Sequence, residues 1–234
     1  MTSQSPISGP QTLQNSLVLL SGGLDSAVLA AVEAQTRTIH PVYVAAGLAW
    51  EQGEQTIVAR LLSRPPLADR AAPLVRLEFS MRDVYAPTHW AITGHPPAYD
   101  TPDEDVYLHG RNVALLSKAA VYAATRNISR IVLAPLAGNP FPDATPEFLR
   151  ALSAALSLGL DAPILIVAPF SDLHKADVIR RGAELGVPFE LTLSCMNPAG
   201  TEHCGLCSKC RERRDAFIEA GVPDPTTYIN ASPR

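Results

Sequence analysis

The stretch Leu17-Val18-Leu19-Leu20-Ser21-Gly22-Gly23-Leu24-Asp25-Ser26 joins a short apolar run to a glycine turn and then to a helical pattern. Paired glycines permit positive φ angles and let a ligand approach the backbone closely. The N–H groups of such a turn and the positive end of the following helix dipole point toward the same place, which favours phosphate oxygens. The stretch therefore predicts a strand, a phosphate-binding loop and a helix in direct succession.

The polar side chains of this loop suit a phosphate ligand. Ser21 and Ser26 offer hydroxyl donors, and Asp25 either caps the helix or meets a Mg²⁺ ion held by the phosphates. A purely structural turn is the alternative, but the complete hexapeptide favours phosphate binding. It is not a Walker A loop, because no Gly-Lys-Ser/Thr follows, and the dinucleotide pattern Gly-x-Gly-x-x-Gly is absent from it.

Apolar runs alternate with helical patterns along the rest of the chain. Strands are predicted at residues 17–20, 42–45, 74–79, 131–133 and 164–168, and helices at 25–34, 52–62, 112–125, 146–158, 175–185 and 211–220. This alternation predicts an α/β fold with a Rossmann-like parallel sheet covered by helices on both faces. Residues 87–105, which are rich in proline and acidic side chains, are predicted to form a long loop and not a packed element. Loops of that length are often lids or binding segments.

All four cysteines of the chain, Cys195, Cys204, Cys207 and Cys210, lie close together, with eight, two and two residues between them. Two overlapping Cys-x-x-Cys steps bring thiolates toward one ion, and Zn²⁺ prefers four such ligands in a tetrahedron. A disulfide pair or free thiols are the alternatives, but disulfides belong mainly to small secreted proteins, and the chain shows no signal sequence. We expect one structural Zn²⁺ per chain.

Composition bounds the class of protein. The chain has 234 residues, 18% of them charged, and a net charge of −4. No apolar run approaches the roughly 20 residues of a membrane span, and the first fifteen residues lack the pattern of an export signal. We therefore expect a cytoplasmic protein without a membrane partner. The net charge gives no general attraction to nucleic acid.

Three arginines beside the cysteines form the one basic patch that the sequence suggests. Arg211, Arg213 and Arg214 share their helical turn with Glu212 and Asp215. A solvated helical turn is the favoured interpretation, and a nucleic-acid contact is the alternative.

The domain organisation follows from these patterns. Residues 1–15 are predicted to form a flexible tail, since turn formers dominate them. Residues 16–190 are predicted to form the nucleotide-binding α/β domain. Residues 191–234 are predicted to form a zinc-binding segment packed on that domain.

The glycine loop resembles that of the pyrophosphatase-loop ATPases, which bind ATP and in most cases activate a carboxylate or carbonyl oxygen by adenylation. The cysteine pattern, followed by Arg213, is similar to the zinc site of the 7-cyano-7-deazaguanine synthase family. Further similarities are Gly110-Arg111-Asn112, Pro142-Asp143, Pro146-Glu147-Phe148 and residues 173–176. Their order and spacing make the resemblance specific.

The resemblance implies a nucleotide-hydrolase-like fold and the ATP-dependent conversion of 7-carboxy-7-deazaguanine and ammonia to a nitrile. It implies ATP as co-substrate, Mg²⁺, and catalytic roles for Asp25, Arg111 and Lys175. The residues expected to bind the nucleotide are Leu20, Ser21, Gly22, Gly23, Leu24, Asp25, Ser26, Ala27 and Val28. The expected partners are a small deazapurine carboxylate and ammonia, with no stable nucleic-acid partner. A homodimer stays open.

The chain departs from the family pattern on the substrate side. Residues 44–50 keep only the glycine of the usual segment after the second strand, residues 137–141 replace a Tyr-Ser-Gly-Tyr sequence, and His109 replaces a proline. A related adenylating or amide-forming enzyme with another substrate is therefore an alternative. A zinc-knuckle nucleic-acid-binding module is a second one.

Some single residues have two interpretations. Trp50, Phe141 and Phe148 either stack on a deazapurine or pack in the core. His203 adjoins Cys204, but four cysteines already complete a tetrahedral site, so we expect a loop residue near the metal and not a ligand.

Overall fold

The computed structural model describes residues 14–231. Most of the predicted tail at residues 1–15 lies outside this range. The strands are β1 (Asn15–Leu19), β2 (Thr38–Ala45), β3 (Val75–Glu78), β4 (Arg130–Val132) and β5 (Leu165–Val167). The helices are α1 (Leu24–Glu33), α2 (Glu51–Leu62), α3 (Trp90–Thr93), α4 (Arg111–Thr125), α5 (Pro146–Leu160), α6 (Lys175–Glu184) and α7 (Ser208–Ala220).

The five strands form one parallel sheet in the order β3-β2-β1-β4-β5. Successive side chains of a strand point to opposite faces, and both faces here are covered. Val18 packs into the cluster beneath α1, α6 and α7, whereas its neighbour Leu17 packs into the cluster beneath α4 and α5. The predicted Rossmann-like sheet is confirmed.

The strand order reverses between β1 and β4. Connections that leave two such neighbouring strands run to opposite faces, which opens a crevice beyond their carboxyl ends. The chain leaves β1 through the glycine loop and leaves β4 through residues 133–141. The topology alone therefore places these two segments on either side of one cleft.

The segment at residues 87–105 is mostly without helix or strand, as predicted, but the prediction that it is unpacked is wrong for the part around Ala91. It contains α3 and ends in a 3₁₀ helix at Asp103–Val106. Ala91 is fully buried and its carbonyl accepts a hydrogen bond from the Ala49 N–H, while the Trp90 ring stacks on Trp50 with centroids 5.6 Å apart. The apolar residues among the prolines pack against Ala49 and Trp50, a contact that the composition of the segment does not indicate.

The C-terminal segment packs on the sheet through α7. This helix contacts α6, and Phe217 on α7 lies edge-to-face on Phe189 with ring centroids 5.3 Å apart. Phe217 is part of the same hydrophobic core as α1. The boundary near residue 190 stays a prediction. Within residues 14–231, no helix has the length and apolarity needed to cross a bilayer.

Candidate active site and metal centre

The glycine loop is held in shape by its own backbone and serines. Gly22 has a φ of +82°, and a Cβ at this position would lie 3.2 Å from the Glu54 carbonyl oxygen. The Ser26 hydroxyl donates to the Gly23 carbonyl at 2.9 Å, and the Gly23 N–H donates to the Ser21 hydroxyl at 3.2 Å. Helix α1 starts directly after Gly23, so its first N–H groups have no partner within the helix. The local geometry is that of an anion-binding loop.

The residues expected to bind nucleotide fall into two groups. Gly23, Leu24 and Asp25 line a cleft of about 570 Å³. The side chains of Leu20, Ala27 and Val28 are buried in the hydrophobic core. Ser21, Gly22 and Ser26 shape the turn itself.

The cleft wall is built from several distant parts of the chain. Besides the loop, it is lined by residues at the start of α2, by Asp103 to Arg111, by residues 134–141, by the start of α6, by residues 193–196 and by α7. Both Lys175 and Arg111 reach this cleft. The three residues expected to be catalytic therefore lie around one cavity, although they are distant in sequence.

A row of alternating charges crosses the cleft. The Lys175 Nζ lies 3.2 Å from the Asp25 Oδ2 and donates a hydrogen bond to Glu212. The Lys209 Nζ donates to Glu212 at 2.7 Å and pairs with Asp103 at 3.3 Å. Each lysine is thus shared by two carboxylates, which fixes the position of its side chain.

Burial and pairing oppose each other in these groups. Burial raises the pKa of Asp25, although Lys175 acts to lower it. Burial also acts to raise the pKa of Glu212, but Lys175 and Lys209 outweigh it and bring the value to about 2. The pKa of Lys175 is raised, because its two carboxylates outweigh burial. Lys175 is therefore a permanent cation beside the phosphate-binding loop.

Asp25 keeps one oxygen free. Its Oδ1 is buried and has no hydrogen-bond partner among residues 14–231. A buried carboxylate oxygen without a partner is costly. The free oxygen belongs to the loop where phosphates are expected, and hard oxygen ligands suit Mg²⁺. Asp25 thus fits the role of a magnesium ligand better than that of a helix cap.

Arg111 is held by the start of α4. Asp143 accepts hydrogen bonds from the N–H of Asn112 at 3.0 Å and from its side-chain amide at 3.2 Å, which anchors the first turn of the helix. Gly110 takes the left-handed conformation that turns the chain into α4. The Arg111 Nε is buried and without a partner in the described part of the chain. Its guanidinium is free to bind an anion in the cleft.

The four cysteine sulfurs converge, all within 4.8 Å of one another, and all four residues are buried. Sulfurs at about 2.3 Å from a tetrahedral zinc ion are about 3.8 Å apart. The sulfur of Cys207 lies 4.0 Å from that of Cys195 and 3.5 Å from that of Cys210, and the sulfurs of Cys204 and Cys210 are 3.9 Å apart. The donor set fits zinc and leaves no fifth ligand position open.

The backbone around the cysteines supports thiolate ligands. N–H groups of Asn197 and Cys204 donate to the Cys195 sulfur at 3.3 Å, and the Leu206 N–H donates to the Cys204 sulfur at the same distance. Gly205 has a φ of +83°, and a Cβ there would lie 2.2 Å from the Asn230 carbonyl oxygen. The turn between the second and third cysteines therefore requires glycine.

The predicted solvated arginine patch is wrong for Arg213. This side chain is 1% exposed and donates to the Thr192 hydroxyl at 2.8 Å and to the Phe189 carbonyl at 2.9 Å. Arg214 donates to the Gly205 carbonyl at 2.8 Å. The cause is that α7, which begins at Ser208, packs against the segment of Phe189 and Thr192, so the Arg213 side chain faces that segment and not solvent. The arginines hold the C-terminal segment together.

His203 is a structural residue close to the metal centre. Its Nε2 accepts a hydrogen bond from the Ser194 N–H at 3.1 Å. Burial and the nearby Arg213 lower its pKa to about 3. The ring is therefore neutral and supports the chain between the cysteines, while the atoms that converge on the metal position are the four sulfurs.

The three aromatic candidates differ in place. Trp50 and Phe141 line the cleft, and each is stacked on another ring, Trp50 on Trp90 and Phe141 on Tyr107. Phe148 packs against the core cluster beneath α4 and α5. The two cleft residues form aromatic walls, whereas Phe148 is a packing residue.

Sequence reasoning assigned no cleft role to several charged residues, among them Glu54, Asp103, Lys209 and Glu212. Lys209 and Glu212 are separated by three positions on α7 and could have been found as a helical charge pair. Glu54 and Asp103 belong to no motif. Only the fold brings them to the cavity.

The metal centre can be tested by removing one ligand. We expect Cys207→Ser to lose zinc and to lower the melting temperature, because thiolate ligation organises this segment. Metal analysis and thermal unfolding are the measurements. Ser208→Ala is the matched control, since the Ser208 hydroxyl has no partner among the described residues. Zinc content equal to wild type in Cys207→Ser would contradict the assignment.

The loop can be tested at a position where a side chain does not strain the backbone. Gly23 is extended, with φ −66° and ψ 156°, and the nearest atom to an added Cβ is the Ser21 hydroxyl at 3.3 Å. Gly23→Val should keep the fold but abolish ATP binding in calorimetry, because the branched side chain occupies the place of the phosphates. Gly22→Ala should instead destabilise the fold. Full affinity in a folded Gly23→Val protein contradicts the loop assignment.

The charge row predicts a role for Lys209 in ATP binding. Lys209→Met leaves the charge of Glu212 balanced only by Lys175, so an incoming polyphosphate meets more repulsion. We expect ATP affinity to fall about tenfold in calorimetry. Lys118→Met removes the same charge from α4, away from the cleft, and should leave affinity unchanged. Equal affinities for both variants contradict this role.

Comparisons with known proteins identify the family of this chain. The family model described as queuosine biosynthesis protein QueC matches residues 15–221. The 7-cyano-7-deazaguanine synthase of Methanothrix thermoacetophila is 34% identical over 223 residues, which cover 90% of this chain and 96% of the relative. That of Anaeromyxobacter dehalogenans is 36% identical over 227 residues, with 92% and 96% covered.

A solved structure is also similar. The crystal structure of a 4-thiouridine synthetase–RNA complex with bound ATP covers 89% of this chain and 51% of its own, with a TM-score of 0.47 and 14% identity. The family match and the relatives confirm the predicted resemblance and the prediction of an ATP-dependent ligase-type enzyme. The chain belongs to the family of queuosine biosynthesis protein QueC.

Proposed function

We propose that the protein converts 7-carboxy-7-deazaguanine and ammonia to 7-cyano-7-deazaguanine with ATP, through adenylation of the carboxylate. The observation that carries the proposal is the single cleft that joins Gly23 and Asp25 of the loop with the two cations Lys175 and Arg111. The names of the relatives support the same product. A carboxylate resists attack by ammonia because its oxygen is a poor leaving group, and adenylation removes that obstacle.

Each residue has a distinct task in the first step. The loop and Lys175 hold the outer phosphates, so that the substrate carboxylate reaches the α-phosphorus in line. Such positioning supplies on the order of 7 to 11 kcal/mol of the barrier. Arg111, with its unpartnered Nε, binds the carboxylate or the α-phosphate oxygens, since a guanidinium contacts two oxygens at once.

Two metals have separate places in this proposal. Asp25 would hold Mg²⁺, which neutralises charge on the departing pyrophosphate. Cys195, Cys204, Cys207 and Cys210 would hold zinc with no catalytic part, because a four-sulfur site offers no position for substrate. A zinc ion there would act through the fold, since α7 begins beside Cys207 and carries Lys209 and Glu212 into the cleft.

The substrate is the less constrained half of the proposal. The stacked rings of Trp50 and Phe141 form flat apolar walls that suit a bicyclic base. The segments that depart from the family pattern, at residues 44–50 and 137–141, contribute to these same walls. A different carboxylic acid with the same adenylation chemistry is therefore the second candidate. The arginines engaged inside the C-terminal segment remove the main reason for a nucleic-acid-binding module.

Isotope transfer tests the reaction type. Purified protein is incubated with Mg-ATP, ammonium and 7-carboxy-7-deazaguanine labelled with oxygen-18 in its carboxylate. We expect the label in AMP, pyrophosphate as the second product, and the nitrile by mass spectrometry, because attack at the α-phosphorus transfers one carboxylate oxygen. Protein carrying Lys175→Met is the control and should give no labelled AMP.

The outcomes separate chemistry from substrate. Label in inorganic phosphate with ADP as the other product would show transfer of the γ-phosphoryl group and overturn adenylation. No turnover with the deazaguanine acid, but labelled AMP from another carboxylic acid, would keep the chemistry and replace the substrate.

A further inference from the structure

One buried carboxylate of the cleft has no part in the steps described so far. Glu54 lies in the first turn of α2, is 7% exposed, and lines the cleft beside Trp50 and Arg111. The Tyr43 hydroxyl donates a hydrogen bond to its Oε2 at 2.7 Å. Buried carboxylates are rare in proteins unless a cation or several donors compensate them.

Glu54 lacks a direct ionic partner. Among residues 14–231, no lysine, arginine or histidine nitrogen lies within 4.0 Å of its carboxylate. Burial, with the neighbouring charge of Glu51, raises its pKa to about 7, although Arg111 and the Tyr43 hydroxyl act to lower it. At neutral pH this group exists in both protonation states, which suits a group that accepts protons.

The other carboxylates of the cleft are less suited to accept a proton from a bound substrate. They are Asp25, Asp103, Glu212, Asp215 and Glu219. The first three are held in ion pairs with lysines, and the last two are exposed to solvent. His174, which also lines the cleft, is the residue from which α6 starts. Glu54 is the buried carboxylate that lines the cleft without an ion pair in the described part of the chain.

The proposed reaction needs a proton acceptor in this place. Ammonia is mostly ammonium at neutral pH, and a nitrogen that has attacked a carbonyl carbon carries a positive charge until it loses a proton. We propose that Glu54 binds the incoming ammonium and accepts the proton of the attacking nitrogen, a role that rests on the adenylation chemistry proposed above. The stacked rings of Trp50 and Trp90 line the same cleft as Glu54.

The step balances as follows. The bound ammonium first loses one proton through the Glu54 carboxylate to solvent, and the lone pair that this frees forms the bond to the acyl carbon of the adenylate. An N–H bond breaks and its proton passes to the Glu54 carboxylate, while the bond from carbon to the phosphate oxygen breaks and AMP leaves with the electron pair. The amide remains, and the protonated Glu54 returns its proton to solvent.

Two half-reactions separate this role from adenylation itself. Exchange of labelled pyrophosphate into ATP, measured with the deazaguanine acid and without ammonium, reports adenylation alone. Amide and nitrile formation, measured with ammonium, reports nitrogen transfer as well. We expect Glu54→Gln to keep exchange within about threefold of wild type and to lower amide formation about a hundredfold, the usual range for losing a proton acceptor.

The pH dependence gives a second readout. The ionised carboxylate is the active form, so the ratio of wild-type to Glu54→Gln amide formation should fall as pH drops below the Glu54 pKa of about 7. Both proteins are measured at saturating ammonium, so that the ammonium equilibrium in solution does not enter this ratio. Tyr43→Phe removes a hydrogen bond that lowers the Glu54 pKa. In this variant, amide formation should therefore begin to fall at a higher pH than in the wild type.

A neighbouring carboxylate provides the matched control. Glu51 accepts hydrogen bonds from the N–H groups of Ala46 at 2.6 Å and Gly47 at 3.0 Å and is not part of the cleft wall. Glu51→Gln should lower the melting temperature and, at a pH above the Glu54 pKa, leave the ratio of amide formation to exchange unchanged. Because it removes a charge that raises the Glu54 pKa, it should shift the fall of amide formation to lower pH. Should Glu54→Gln fail to fold, Glu54→Asp is measured instead. It keeps a carboxylate on a shorter side chain, so a smaller loss of amide formation with retained exchange is expected.

The outcomes distinguish the two proposals. Exchange and amide formation lowered in equal proportion, or both unchanged, in a folded Glu54 variant would overturn the proton-acceptor role while adenylation stands. Absence of acid-dependent exchange in the wild-type protein would overturn adenylation by this acid and, with it, the role of Glu54.

Discussion

The interaction on which the site depends is that of the Lys175 ammonium with Asp25 and Glu212. Asp25 belongs to the phosphate-binding loop, Lys175 starts α6, and Glu212 lies on the helix that follows the cysteines. One cation thus ties the nucleotide loop to the metal-binding segment. Because Lys175 lies between two carboxylates, its ammonium group stays protonated although it is buried. A polyphosphate can replace one of these carboxylates, and the ammonium group then still has a negatively charged partner.

The sequence predicted the parts of the molecule that local rules control. The apolar run ending at Leu20 and the glycines after it predicted strand, loop and helix, because both the burial of a central strand and positive φ at Gly22 are local requirements. The cysteine spacing predicted convergence of the four sulfurs for the same reason. The parallel sheet followed from the alternation of elements, and the structure confirms it.

Long-range packing decided what the sequence did not predict. Trp90 and Ala91 lie in a proline-rich segment whose composition suggests a loop, yet Trp50 provides the surface that orders them. The sequence around Arg213 suggests an exposed charge, but in the fold this side chain donates hydrogen bonds to the Phe189 carbonyl and the Thr192 hydroxyl. Glu54 has no motif at all. Each of these residues acquires its environment from chain segments far away in sequence, which periodicity and spacing cannot register.

The cleft has two sides that follow different constraints. Phosphates must meet backbone N–H groups, so the side built from residues 21–26 tolerates little change, and there the chain keeps the family pattern. The opposite side, built after β2 and β4, meets the acceptor through side chains, which can be exchanged without moving the backbone. There the chain carries Trp50, Glu54 and Phe141. A stacked pair of rings beside a buried carboxylate without an ion pair favours a flat acceptor and a cationic nitrogen together. In the proposed reaction, the departures from the family pattern therefore bear on which acid is activated and how nitrogen is delivered, while the handling of ATP depends on the part that is unchanged.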